Sequence, residues 1–377
     1  MASLNCRLAR FCLSVLVVTQ TVCFGEESVN RRDGRTTRSK VEKYINWLPS
    51  KSETLIVVQQ PYQIPKAPDK NTRSPDRVFH EMHFGAIFGE DARELLVGKT
   101  IKLSIEASTR FRMPDFPKEV GNELQLVGVG TKFDGCYLLV FDETTELHTK
   151  ELFERLLKQS GRKPNPHVAS PARHRIEGHE VIEFVTNVPF HKRTRGAKET
   201  PEHTRLIDAA LSVRYWIAAP SKGVLVVATS QSVLKTTLQK VVNPDQKAFP
   251  ATLPEWNHIS GTASIWGMRH FKPKPRPSDF SDFRQNSIPV ISGFTFEIDP
   301  KTKRANATFI DCDSESKKRL RSSVEHYVWS GTRFTETDTG VLVAKIDWSK
   351  PALRNVSKLQ GDLSVWLIMY LGHAVLI

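Results

Sequence analysis

His80-Glu81-Met82-His83 places two imidazoles three residues apart, on one face if the segment is helical. Two imidazoles are half of a zinc or copper site. The metalloprotease helix needs His-Glu-x-x-His, and here the second histidine comes one residue early. Asp91 and Glu94 are the next carboxylates, and nothing ties them to the pair. His80 and His83 are therefore weak metal candidates beside the simpler reading of half-exposed histidines, and no cofactor is implied. Ser232-Val233-Leu234-Lys235 matches the Ser-x-x-Lys of penicillin-recognising enzymes, and so does Ser314-Glu315-Ser316-Lys317. Neither has an accompanying Lys-Thr-Gly or Ser-Asp-Asn, so both read as serines at helix starts. There is no Gly-x-Ser-x-Gly elbow, Walker loop or dinucleotide fingerprint. Asp311, Asp313 and Glu315 alternate without the glycine and closing glutamate of a calcium loop. They fit a helix N-terminus, where negative charge is favoured. Trp256, His258, Trp266 and His270 can line a sugar-binding face, but core packing accounts better for the tryptophans.

The second chemistry is charge. The chain of 377 residues carries a formal net charge of +13, and the excess is clustered. One cluster is the arm Arg31 to Lys40; a second is His191-Lys192-Arg193-Thr194-Arg195. A third, Arg269-His270-Phe271-Lys272-Pro273-Lys274-Pro275-Arg276, is biased towards extended geometry by its prolines. Lys317-Lys318-Arg319-Leu320-Arg321 is the fourth. Lys192, Arg193, Arg195, Lys272, Lys274 and Arg276 are the residues expected to meet an anionic polymer. Anionic polysaccharide or a membrane surface fits better than nucleic acid, since no zinc finger, basic zipper or RNA-binding aromatic motif is present. The competing reading is a set of solvated loops.

The elements that must carry these residues begin with a secretory signal. Arg7 and Arg10 precede the apolar stretch Phe11 to Phe24, which is short for a membrane span, and cleavage is expected after Gly25. An uncleaved N-terminal anchor is the alternative. Cys6, Cys12 and Cys23 fall in this leader, so Cys136 and Cys312 remain in the mature chain. One disulfide between them, or two separate buried thiols, are equally compatible with the sequence. The organisation expected is a signal at 1–25, a flexible basic arm at 26–44, one unit over 45–250, a second over 251–350, and an apolar tail over 351–377.

The fold class is α+β: antiparallel hairpins backed by helices, in two loosely duplicated halves. Strands are expected at 54–58, 99–112, 179–185, 215–219 and 224–229, with helices around Gly85 and Gly89. Leu124–Phe133 and Tyr137–Phe141 are expected to form a hairpin through Asp134-Gly135. A helix over 142–159 should present Phe153, Leu156 and Leu157 on one face. Leu253-Pro254 before the strand at 262–266 echoes Leu48-Pro49 before the strand at 54–58. Strands at 293–298 and 305–310, with a helix over 311–328, echo the hairpin and helix of 124–159. Asp338 to Ala344 echoes Ser221 to Ala228. The tail Leu363–Ile377 is apolar on all faces and is expected to dock into the protein, touch a membrane, or meet a partner.

The segments "WLP…ETLIVVQQPYQIP" and "GVLVVATSQSVLKTTLQ" and the ending "LGHAVLI" resemble a family of exported proteins from planctomycete-type bacteria. That resemblance implies a bacterial cell-envelope protein, periplasmic or secreted, and carries no catalytic residues. The expectation is a non-enzymatic binding or scaffold module with a basic surface. The alternative is a periplasmic hydrolase with a dispersed active site.

Overall fold

The computed structural model describes residues 41–59, 101–112, 132–141, 143, 149–162, 171–187, 212–244, 249–271, 291–299, 302–325, 331–337, 340–347 and 349. Twelve strands form one sheet. They are β1 (Thr54–Val58), β2 (Ile101–Arg112), β3 (Lys132–Phe141), β4 (Ala172–Ile176), β5 (His179–Asn187), β6 (Ser212–Ser221), β7 (Val224–Ala228), β8 (Ile265–His270), β9 (Gly293–Asp299), β10 (Arg304–Ile310), β11 (Arg333–Glu336) and β12 (Leu342–Asp347). Their spatial order is β11-β12-β10-β9-β8-β1-β2-β3-β7-β6-β5-β4. Neighbours pair antiparallel throughout. Among the described residues the longer helices are α1 (Thr149–Arg162), α2 (Gln231–Val242) and α3 (Ser314–Ser323), beside a short helical turn at 41–45 and a 3-10 turn at Pro254–His258.

The broad α+β class holds, but the sheet dominates. Strands before and after residue 250 belong to that one sheet, because β1 pairs with β8 over Thr54↔Arg269 to Val58↔Ile265. Counting outward from this junction, β2, β3, β7, β6 on one side match β9, β10, β12, β11 on the other. The hairpin of β4 and β5 extends the first side only.

Paired residues share a face, so the ladders can be followed across the sheet. One row runs Phe334–Ala344–Ala307–Phe296–Gly267–Ile56–Glu106–Tyr137–Val227–Ile217–Ile182–Arg173. On this face α1 covers one end, where Leu152 and Leu156 bury against Tyr137, Leu139, Phe141, Ile182 and Ile217. The helix α3 covers the other end, where Leu320 packs with Phe294, Phe296, Phe309 and Leu342. On the opposite face α2 (Val233, Leu234, Leu238), the segment Val41–Leu48 and Trp256 cover Leu55, Ile105, Leu138, Val226 and Trp266. Burying a side chain such as Leu156 or Leu238 contributes about 1.5–3 kcal/mol. Because helices cover both faces, strands such as β7 are buried at every residue and read as continuous apolar runs.

Several local expectations are corrected. Asp134-Gly135 does not turn the chain; it lies inside β3, where Gly135 exchanges hydrogen bonds with Thr229. Pairing with β2 along both residues, and the Thr229 contact just past β7, hold the dipeptide extended. On α1 Leu152 and Leu156, spaced i,i+4, bury on the sheet and Phe153 packs against the same cluster as expected, while Leu157 is 43% exposed. The Cys136–Cys312 bridge is not formed: both thiols are free and lie in different cores. The signal, the arm up to residue 40, the helices near Gly85 and Gly89, the 124–131 strand and the tail at 351–377 lie outside the described residues. Residues 41–44, expected to end the flexible arm, are instead helical, because Val41 and Ile45 bury against the sheet. Among the described residues no helix is long and apolar enough to cross a membrane.

Candidate functional site

Four clusters of polar side chains stand out on the described sheet and its helices. The first is at its centre. Glu106 is the one carboxylate in the face row traced above, two strands from β8, and it is half-buried. Burial raises its carboxyl from the ordinary 4.5 to about 7. The Tyr137 and Tyr215 phenols share its face and are also pushed up, first by their own burial and then by the Glu106 charge, Tyr215 to about 12. A carboxyl near 7 suits proton transfer at neutral pH. Sequence reading missed it, because a glutamate in a strand of alternating pattern looks like a solvent-facing position; only the pairing puts it between Ile56 and Tyr137.

The second cluster lies on the opposite face, where β8 leaves the sheet. His270 Nδ1 and Glu255 Oε1 are 2.9 Å apart, and the Glu255 side chain is fully buried. Its carboxylate fills the space where Gly293 has no side chain, so a Cβ there collides with Oε1. Glu255 Oε2 and Trp266 Nε1 have no hydrogen-bond partner among the described residues. Trp256 and Trp266 are packed in the core with ring centroids 6.0 Å apart, and His258 is exposed away from them. The tryptophans thus form core, and His270 is the member of that set that meets a carboxylate. Beside it, the Arg269 guanidinium lies 5.1 Å from the Phe271 ring centre, and burial lowers its pKa.

The third cluster is on the β4–β5–β6 margin. Glu183 accepts from Arg214 Nη1 and lies 2.8 Å from His174 Nε2 through its other oxygen. The His174 and Trp216 rings are 5.1 Å apart. The fourth is the basic run on α3, and here the charges are neutralised locally. Lys317 and Arg321 both bind Glu336, and Arg319 binds Glu315 at 2.9 Å. These contacts, Lys317 foremost, hold the Glu336 carboxyl below its usual range. Lys317 and Arg321 thus fasten α3 to β11, and Arg319 is paired within the helix.

The serine–lysine patterns resolve as helix starts. Ser230 caps α2 by accepting from Val233 N, Ser232 Oγ lies 3.2 Å from Ser230 Oγ, and Lys235 pairs with Glu177 at 3.5 Å. Asp313 caps α3 by accepting from Ser316 N at 2.6 Å, which lowers its carboxyl pKa. Asp311 accepts from Ser292 Oγ at 2.6 Å. No group of three or more metal-binding side chains occurs among the described residues. His80, His83, Lys192, Arg193, Arg195, Lys272, Lys274 and Arg276 lie outside those residues.

No protein-family profile matches the chain, and no curated protein matches it. Among solved structures, TP0453 in crystal form I is similar at a TM-score of 0.38 and 8% identity, over 85% of this chain and 96% of that one. Its crystal form IV gives 0.36 and 8%, over 80% and 92%. Nothing about fold or function is transferred from either.

Proposed function

We propose that this is an exported envelope protein acting as a binding module, with a cationic margin at one end of a rigid sheet. The observation that carries the reading is topological. Six antiparallel steps separate β8 from β5, so the two strands run in the same direction and end at the same end of the sheet. The basic run Lys272–Arg276 follows β8, and Lys192–Arg195 follows β5. At about 4.8 Å per strand, the two exits are about 29 Å apart along the sheet. Arg112 pairs with Lys132 at the same end. An extended anionic partner, polysaccharide or membrane surface, matches two strand exits at that separation, each followed in sequence by a basic run, better than a single small anion does.

The architecture supports a duplicated scaffold beneath this margin. Aligning Gly223-Val224 with Gly340-Val341 and following the ladders inward from β7 and β12 matches Glu106 with Phe296 and Ile56 with Gly267. Ile56 and Gly267 are themselves direct partners across the β1–β8 junction, as a two-fold relation between the halves requires. Gly223 and Gly340 both sit at positive φ, 68 and 79. The alternative, a hydrolase with a dispersed site, draws on Glu106 and its raised pKa.

The test is retention of the full chain on an anionic heparin column. Charge reversal at Lys272, Lys274 and Arg276, or at Lys192, Arg193 and Arg195, should shift elution to lower salt, and the combined variant should flow through. Replacing Lys318, on the locally paired helix, should leave retention unchanged. If the combined variant elutes where the parent does, the cationic-margin reading is wrong.

A further inference from the structure

Among the described residues the first half carries a hairpin that the second does not. Between α3 and β12 the second half shows β11, whereas between α1 and β7 the first half shows β4, β5 and β6. With β6 matching β11, the pair β4–β5 is surplus to the scaffold. Its turn is built from Glu177 and Gly178, both at positive φ (49 and 81), the backbone of a tight two-residue hairpin turn. β4 is the last strand of the sheet and pairs with β5 alone, so its outer backbone groups have no strand partner among the described residues.

This edge is held rigid on both faces. Arg173 stacks over the Phe153 ring of α1 at 4.3 Å and lies 3.6 Å from Glu180. His174, on the other face, is held by Glu183, which Arg214 also binds. Arg173 and Arg175 are exposed and share one face, two residues apart, about 6.6 Å along the strand. A rigid edge loses little conformational entropy when a partner strand is added.

We propose that the outer edge of β4 is a docking edge for an extended acidic segment of a partner protein, which adds to the sheet as a thirteenth strand. Backbone hydrogen bonds to β4 supply affinity, and carboxylates at alternate positions of the segment meet Arg173 and Arg175. A second copy of this chain does not fit that place. Pairing β4 with β4 sets Arg173 and Arg175 against their own counterparts, and like charges opposite each other repel. This inference does not rest on the cationic margin, which lies in other segments.

The test uses the full chain and a fluorescein-labelled seven-residue probe peptide alternating threonine and glutamate, read by fluorescence anisotropy. The same peptide with lysine for glutamate should bind at least about tenfold more weakly. A glutamate peptide with alternate backbone amides N-methylated keeps its charge but loses its donors, and should also bind at least about tenfold more weakly. The exposed double variant Arg173→Glu, Arg175→Glu should lose the glutamate peptide and gain the lysine one, which keeps the result independent of folding losses. Equal affinity for methylated and unmethylated peptides would mean attraction by charge alone and overturns the proposal. Absence of binding overturns it too, leaving the arginines as guards against edge aggregation. Reversal of Lys272, Lys274 and Arg276 should leave peptide affinity unchanged.

Discussion

Replacing Glu106 with glutamine should make the protein more stable than the parent at alkaline pH and remove part of its pH dependence. The parent carboxyl is raised by burial from 4.5 to about 7. A raised carboxyl pKa means that the folded chain binds the proton more tightly than the unfolded chain does. Its contribution is therefore fully present below about 4.5 and is lost as pH rises through about 7. At 1.36 kcal/mol per pKa unit, the full swing is about 3 kcal/mol. This is a ceiling, because Glu106 is not fully buried and water can relax around the charge. Glutamine has the same shape and does not titrate. The assay is urea denaturation of parent and Glu106→Gln at pH 4.5, 6, 7 and 8.5, comparing extrapolated stabilities at each pH. The phenols that the Glu106 charge raises, Tyr137 and Tyr215, stay protonated across this pH range in both proteins, so the difference isolates Glu106. It should move in favour of the variant by up to about 3 kcal/mol across the series. The Tyr215 phenol, raised in part by the Glu106 charge, should ionise at a lower pH in the variant by absorbance titration. A difference that is constant from pH 4.5 to 8.5 would refute the argument that this carboxyl is held neutral in the sheet.

Two further outcomes test the packing. Gly267→Ala should destabilise by about 1–3 kcal/mol in thermal or urea melts, because the added Cβ meets the Leu55 carbonyl, which is backbone in a paired strand, and lies 2.6 Å from the Phe296 ring. A melt equal to the parent's would show that β1 and β8 can part at that point. Cys136 and Cys312 should stay unreactive to a thiol reagent at pH 8 until the chain is unfolded, because burial pushes both thiols up to about 12. Gel mobility should also be the same with and without reductant; a faster non-reduced band would restore the disulfide.

Much of the local structure was legible in the residues alone. The buried strands at 54–58 and 224–228 are continuous apolar runs, and such runs have few alternatives. Ser230 and Asp313 announce their helices because a side-chain oxygen before an apolar or charged run satisfies the first free amides. The echo of Ser221–Ala228 in Asp338–Ala344 falls on β7 and β12, each the fourth strand counted outward from the β1–β8 junction. Only the tertiary structure decided the rest, because it depends on which strands become neighbours. Asp134-Gly135 has the composition of a turn, yet β2 pairs along both residues and Thr229, just past β7, bonds Gly135, which keeps it extended. The short charged strands β4 and β11 carry no apolar period to reveal them; they exist because a paired neighbour satisfies their backbone. The clusters of interest join residues far apart in sequence: Glu106 with Tyr137 and Tyr215, Glu255 with His270 beside Gly293, and His174 with Glu183 and Arg214. Residue type and spacing specify what each side chain can do, while the ladder registers specify what it does it with.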